Sequence, residues 1–478
     1  MELAHHPVIR FIQEETFPEG TCMRWGMVIL AAGQGKRMKS RLPKVLHPLC
    51  GVELLQYVLD NASRVAPGAP CVVVVPPEHH QFQSVLAEGV RLAIQREPRG
   101  TADAVAQAQM ALQGQVDVLM VLNGDVPLLL PETLQRLQAA FERSGAALAL
   151  LTAPAGLSAE LGRICRDSRG RVVAVMEAAE LPKGEAVSPE VNVGAYCFQA
   201  DWLGQELPQL APAATGELYL TSLIARAASQ GAGVADVAVS YPWEGLGINT
   251  RVDLAKAEAV LRLRIRERWM LEGVTLEDPD TAYVDAQVAI GQDTRVGPNT
   301  FLLGRTAIGE GCVIGPNSVV RDSVIGPGCR VLASVVEDST LEEGVDIGPF
   351  SHLREGAYLE RGVHVGNFGE VKQSRLGRGV KMGHFSYIGD ATLGAEVNVG
   401  AGAITCNFDG VAKHRTEVGE GAFIGSDTML IAPVKVGARA RTGAGSVVTK
   451  DVPPDTLVVG APARIRKRRS TSAPKRER

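Results

Sequence analysis

The feature that leaves this chain the fewest options is a repeat in its second half. Ile290, Val296, Ile308, Ile314, Ile347, Val365, Ile388, Val399, Val418, Ile424 and Val436 are each followed by glycine. Ile347 and Val365 lie 18 residues apart, with Leu353 and Leu359 at the steps of six between them. This pattern is the signature of a parallel β-helix, in which each aliphatic side chain points into the prism and glycine permits the turn behind it. Stacked coils bury a continuous aliphatic column, so stability builds through neighbour contacts and not through one globular core. The spacing breaks between Val399 and Val418, where GAGAITCNFDGVAKHRTE is expected to leave the coil as a loop. A loop projecting from a rigid solenoid is a candidate functional element.

Upstream the pattern is different. Apolar runs such as MVIL (27–30), CVVVV (71–75) and VDVLMVL (116–122) alternate with helix-like stretches such as TADAVAQAQMALQ (101–113). Continuous apolar runs spaced by helices predict strands buried on both faces, hence a parallel α/β sheet whose ligands gather where strands end. Between the halves, Leu254, Ala257, Leu261, Ile265 and Trp269 form one helical stripe. Lys256, Arg266 and Glu267 surround a lone Leu263 on the opposite, solvated face, and Asn249 or Thr250 caps the helix.

At 478 residues and roughly 100 to 200 residues per domain, two to four domains are expected. The reading is an extension over 1–26, an α/β domain over 27–249, a linker helix over 250–272, a β-helix over 273–463 and a basic tail over 464–478. Met23 and Met27 are alternative starts. The tail, RIRKRRSTSAPKRER, is expected to be disordered, because like charges repel and nothing in it forms a core.

A net charge of −4 gives no global attraction to nucleic acid or to an anionic membrane. Eight scattered cysteines without a C-x-x-C pair suit structural thiols in a reducing cytoplasm. No apolar stretch approaches the roughly 18 to 20 residues of a membrane span, and the amino terminus lacks a secretory pattern. A cytoplasmic protein with small-molecule partners is expected.

LAAGQGKRM (30–38) sets two glycines and two cations behind the first apolar run. Alone it decides nothing between a phosphate loop and a polar turn, since it has neither the dinucleotide nor the P-loop spacing. It stands in order with LPKVLH (42–47), NGDVPL (123–128), VNVGAY (191–196), GNFGEVK (366–372), GHFSYIGDA (383–391) and NVGAGAITCNFDG (398–410). Over about residues 27 to 460 this series resembles the bifunctional N-acetylglucosamine-1-phosphate uridylyltransferase and glucosamine-1-phosphate acetyltransferase family. The resemblance implies a Rossmann-like nucleotidyltransferase domain followed by a left-handed parallel β-helix of hexapeptide repeats. It also implies two reactions, acetylation of glucosamine-1-phosphate by acetyl-CoA and transfer of UMP from UTP to the product.

For uridylyl transfer the resemblance implies a UTP loop at Leu30, Ala32 and Gly33, with Arg37 and Lys44 neutralising the triphosphate. Ala32, Gln95 and Gly100 would meet the uracil, with Thr101 beside them, and Gly162, Glu177 and Asn192 the sugar. Asp125 and Asn249 would be the two protein ligands of Mg²⁺, a cation that prefers oxygen donors and keeps water and phosphate in its shell. No protein nucleophile is needed.

For acetyl transfer the resemblance makes His384 the base, because imidazole ordinarily titrates near neutrality, with Glu370 orienting the ring. Arg354 and Lys372 would bind the sugar phosphate, and Tyr387, Asn398 and Asn407 the ring and amine. Ser426 would face the thioester carbonyl, and Ala401, Phe408 and Ala444 would complete the acetyl-CoA groove. Lys36, Leu161, Asn123, Phe408 and Ala461 depart from residues common in the family. The resemblance further implies a homotrimer with sites at subunit interfaces. The competing reading is a sugar-1-phosphate nucleotidyltransferase whose β-helix only assembles or regulates.

Overall fold

A computed structural model describes residues 23–83, 85–156, 161–181 and 188–468. Residues 1–22 of the expected extension and 469–478 of the expected tail lie outside the described residues. The described residues form two compact units, one of 23–46 plus 54–250, the other of 47–53 plus 251–468. The short hairpin of Pro48–Leu49 and Val52–Glu53 therefore belongs with the second unit, where the Ala286 amide donates to the Cys50 carbonyl at 2.9 Å. No period in the sequence announces that exchange.

The first unit is built on one sheet. Its strands run in the order Val234–Ala238, Leu148–Pro154, Glu190–Gln199, Val118–Asn123, Trp25–Leu30, Cys71–Val75 and Arg91–Ile94. Successive residues of Trp25–Leu30 serve opposite faces. Met27 and Ile29 pack with α1 (Leu54–Val65) and with Pro131–Ser144, whereas Val28 packs with Thr101–Leu112 and Ser222–Gln230. The expected all-parallel sheet is corrected here: Glu190–Gln199 runs antiparallel to both neighbours, and Arg163–Arg166 with Val172–Met176 adds an antiparallel ribbon. A strand buried on both faces reads as an apolar run whichever way it points, so the pattern carries burial but not direction.

The linker helix spans Arg251–Leu271 and buries Ala257, Leu261, Ile265 and Trp269, with Leu254 half-buried. Arg266 is not on a solvated face. Its side chain is only 13% exposed, and its guanidinium lies beside Asp280 and donates to the Pro279 carbonyl.

From Thr275 the chain winds through three sheets of twelve, ten and nine short strands. Register advances one coil at a time, as in Asp346 beside His364 and Ile347 beside Val365. The repeat's aliphatic residues are all buried. The role assigned to the following glycines needs correction. Only Gly315 (φ 91°) and Gly348 (φ 104°) among them take left-handed values. The rest answer to close approach: a Cβ on Gly366 would lie 2.1 Å from the Gly383 carbonyl oxygen, and one on Gly400 would lie 2.5 Å from the Ser426 nitrogen.

The expected loop is shorter than its break in spacing. Ile404–Cys406 and Thr416–Val418 still belong to the coils, so only residues 407–415 depart. The tail's first residues are not loose either: Arg464–Arg468 pairs antiparallel with Thr456–Val459. Arg464–Arg468 thus becomes the last strand of its sheet, since a strand edge accepts backbone partners regardless of side-chain charge.

Candidate active sites

In the first unit the residues singled out by sequence gather where the parallel strands end. Leu30 and Asn123 are register partners at the ends of Trp25–Leu30 and Val118–Asn123, and the Gly124 amide donates to the Leu30 carbonyl at 2.9 Å. Beyond Leu30, half-buried Ala32 leads into the glycine loop. A Cβ at Gly33 would meet no atom of the described residues within 4 Å, and Gly33 is exposed, so an anion can approach its backbone from that side. Gly35 (φ 57°) instead lies against Lys44, whose Cβ would be 2.7 Å from an added methyl. Arg37 follows on the exposed side.

Lys44 is the centre of this cluster. Its side chain is 12% exposed, and its ammonium donates to the Asp125 carboxylate and, at 3.0 Å, to Asn249 Oδ1. The Ile248 amide donates to the Asp125 carbonyl at 2.9 Å, which fixes the segment carrying Asn249. Two oxygen donors from distant stretches thus converge on one cationic atom, a donor set that suits a hard divalent cation. Among the described residues no cluster of three or more His, Cys, Asp or Glu side chains forms a metal site.

Gln95 is buried, and its amide donates to the Gly100 carbonyl at 3.0 Å and to Asp103 at 2.8 Å. Those bonds hold the turn entering Thr101–Leu112, and Thr101 Oγ1 accepts from the Leu220 amide at 3.0 Å. A second group forms around the antiparallel strand. The Asn192 amide nitrogen of the backbone donates to the Gly162 carbonyl at 2.9 Å, and its side chain donates to the Tyr196 hydroxyl at 2.6 Å. The Thr221 hydroxyl donates to Glu177 at 2.5 Å. Burial raises the Glu177 carboxyl above its ordinary value, the Thr221 bond pulls it down, and Glu180 and Glu217 push it up again. Tyr196 and Thr221 were missed by sequence reasoning. Tyr196 lies within VNVGAY, but Thr221 carries no motif signal.

In the second unit one sheet stacks His352–Arg354, Gly369–Lys372, Ser386–Gly389 and Ile404–Cys406. Arg354 is in register with Lys372, and Glu370 with Tyr387. Asn407 follows the last of these strands, is buried, and donates to the Tyr387 hydroxyl at 3.4 Å and to Asp390 at 2.5 Å. The expected pairing of Glu370 with His384 is not what the structure has. Glu370 accepts from Arg354 Nη1 at 2.8 Å, because both project from neighbouring coils of the same face, whereas His384 lies in the bend before its strand.

That bend belongs to a second line. The Gly402 amide donates to the Phe385 carbonyl, Asp427 to Ala401 and Gly445 to Ser426, at 2.6 to 2.8 Å. His384, Ala401, Ser426 and Ala444 therefore occupy the same corner on successive coils. His384 is exposed and makes no hydrogen bond among the described residues. Asn398 is not brought to either line. Its strand pairs with Lys381–Met382 and Phe423–Ile424 in another sheet. Phe408 lies 60% exposed in the projecting loop, bridged to Lys413.

A strand-end cation and oxygen cluster on an α/β unit, joined to a hexapeptide solenoid with a polar ladder and an imidazole corner, defines a two-site transferase. Residues 27–179 match the MobA-like NTP transferase domain, and residues 287–322 and 415–450 match the bacterial transferase hexapeptide repeats. Bifunctional protein GlmU of Trichlorobacter lovleyi is 43% identical over 444 residues, 92% of this chain and 96% of the relative. Those of Halalkalibacterium halodurans and Heliobacterium modesticaldum are 43% and 44% identical over 433 residues, covering 90% of this chain and 95% and 94% of theirs. The chain belongs to the bifunctional GlmU family.

Proposed function

We propose that this chain acetylates glucosamine-1-phosphate with acetyl-CoA and then joins N-acetylglucosamine-1-phosphate to UMP from UTP, releasing pyrophosphate. The product, UDP-N-acetylglucosamine, is a cell-wall precursor. The observation that carries this reading is the presence of both constellations in one chain: Lys44 with Asp125 and Asn249, and the ladder from Arg354 to Asn407 beside the His384 corner.

In uridylyl transfer a phosphate oxygen of the sugar-1-phosphate attacks the α-phosphorus of UTP and the bond to pyrophosphate breaks. Open backbone at Gly33 with Arg37 and Lys44 holds the triphosphate. Gln95, Gly100 and Thr101 receive the uracil, and Gly162, Glu177 and Asn192 receive the sugar. Asp125 and Asn249 hold Mg²⁺, which when bound neutralises charge on the phosphates. Catalysis is positioning and charge neutralisation.

In acetyl transfer the amine of glucosamine-1-phosphate attacks the thioester carbon, its proton goes to His384, and the coenzyme leaves as the thiol. Arg354 and Lys372 hold the sugar phosphate, and Tyr387 and Asn407 the amine end. Ser426 faces the developing oxyanion, with Ala401 and Ala444 along the groove. We place both reactions in the cytoplasm and in a homotrimer. Exposed Phe350 and Phe368, stacked at 5.6 Å, and Phe385 one coil further support assembly. A neighbouring copy also offers the route by which Asn398, on another sheet, reaches a site. We propose the divisions 27–249, 250–272 and 273–463, with the 47–53 hairpin and the strand Arg464–Arg468 joining the last of them.

The test follows free thiol and pyrophosphate separately with glucosamine-1-phosphate, acetyl-CoA, UTP and Mg²⁺. His384→Ala is expected to abolish thiol release and spare pyrophosphate formation from pre-acetylated sugar, and Asp125→Ala to do the reverse. Pyrophosphate only from pre-acetylated sugar in the unaltered protein overturns the two-reaction reading.

A further inference from the structure

Asn407 can present either its carbonyl oxygen or its NH₂ to a ligand, and the neighbouring residue Asp390 decides which. Asp390 Oδ2 accepts from Asn407 Nδ2 at 2.5 Å. An ionised carboxylate is acceptor-only, so it selects the amide rotamer that turns the nitrogen inward and leaves Oδ1 as the outward atom. The Tyr387 hydroxyl, 3.4 Å from the same nitrogen, agrees with that rotamer.

The backbone of Asp390 is equally committed. Its amide donates to the Lys372 carbonyl at 3.1 Å, and its carbonyl accepts from the Thr416 amide at 3.2 Å, where the chain rejoins the coil after the projecting loop. At the other foot of that loop, the His414 amide donates to the Asn407 carbonyl at 2.7 Å. Asp390 sits at φ 49°, a conformation that aspartate tolerates better than most residues. Asp390 thereby ties the Lys372 strand through its backbone amide to the segment after the loop through its carbonyl, and to Asn407 at the start of the loop through its carboxylate.

We infer that Asp390 is a positioning residue for acetyl transfer, holding Asn407 so that its carbonyl oxygen accepts from the amine of the sugar and directs the nitrogen lone pair to the thioester. The inference rests on the acetyltransferase reading above. An amine oriented by an acceptor reacts more often from the bound state, so the effect belongs in kcat, while the phosphate contacts of Arg354 and Lys372 keep KM for the amino sugar.

Asp390→Asn keeps size and the left-handed backbone but lets either amide rotamer of Asn407 form. Thiol-release kinetics on the full-length protein should show kcat falling about tenfold, the equivalent of about 1.4 kcal/mol, with KM for glucosamine-1-phosphate within twofold. Asp390→Gly, which also accepts φ 49°, should fall similarly and stands in if the asparagine variant misfolds. In the Asn407→Ala background, Asp390→Asn should cost nothing further. Unchanged kcat, a fall confined to KM, or a full additive loss in the double variant overturns the inference. An Asn407→Ala protein with undiminished thiol release overturns it together with the underlying assignment of Asn407, a result distinguishable from the other three.

Discussion

Gly100→Ala isolates the turn that enters Thr101–Leu112 in the first unit. Gly100 adopts φ 114°, ψ −179° immediately before Thr101–Leu112, a region essentially confined to glycine and costing other residues about 1–3 kcal/mol. An added Cβ would also lie 2.5 Å from the Leu218 oxygen and 2.8 Å from its nitrogen. Leu218 cannot step aside cheaply, because its amide donates to the Arg99 carbonyl at 2.7 Å and its carbonyl accepts from the Ala102 amide at 3.0 Å. Overpacking against such an obstacle costs about 1–3 kcal/mol more. The total of about 2–6 kcal/mol compares with about 5–15 kcal/mol for a whole domain, so the unit should fold with a lower Tm. Even about 2 kcal/mol expressed at this turn is roughly thirtyfold in rate, and the turn carries the bond from Gln95. Pyrophosphate release from pre-acetylated sugar should therefore drop at least that far while thiol release persists. Uridylyl transfer within twofold of the parent at an unchanged Tm would refute the reasoning.

Burial keeps the Glu177 carboxyl above its ordinary value, so the folded protein holds that proton more tightly than the unfolded chain. The contribution is complete below the ordinary carboxyl range and is lost as pH rises through the raised value. Glu177→Gln removes that loss, so its Tm relative to the parent should climb from acid to neutral pH while uridylyl transfer falls; a difference flat in pH contradicts this. Asp409 has the opposite sign. The amide of Ala412, the His414 ring and the amide of Val411 hold its carboxyl below the ordinary range, so loop order is present above that range and lost as pH falls through the depressed value. Hydrogen exchange at Val411 and Ala412, corrected for intrinsic rates, should quicken in acid and, at neutral pH, in Asp409→Ala. Protection unchanged by the substitution would show that the loop is held by other means.

The solenoid was the most legible part because its period is set by geometry: every aliphatic residue named from spacing alone is buried. Strand burial in the first unit was legible for the same reason, but strand direction was not, since Glu190–Gln199 is covered on both faces like its parallel neighbours. The 47–53 hairpin escaped because its placement depends on contacts more than 200 residues away, such as the one between Cys50 and Ala286. Local pattern holds no record of that. Site residues were reached through motif order, and motifs name the residue that meets a ligand sooner than the residue behind it. Thr221 and Asp390 act on Glu177 and Asn407 through single hydrogen bonds, and a lone threonine or aspartate in a turn looks like any other.

The correction to the glycines has a consequence for chemistry. Gly400 and Gly425 sit where backbone passes backbone, an added Cβ lying 2.5 Å from the Ser426 nitrogen and 2.6 Å from the Thr442 oxygen, and the residue after each, like those after Gly383 and Gly443, stands at the corner. His384, Ala401, Ser426 and Ala444 are those residues, three coil steps from first to last. At about 4.8 Å between neighbouring strands, the line is about 14 Å long, and two of its four members are only a methyl deep. A line with an imidazole at one end, an alanine next, then a hydroxyl and a second alanine at the other end suits an extended ligand better than a compact one. The same spacing that closes the aliphatic column thus fixes how far apart the His384 imidazole and the Ser426 hydroxyl stand, and an insertion of one residue in any of the intervening turns would disturb both together.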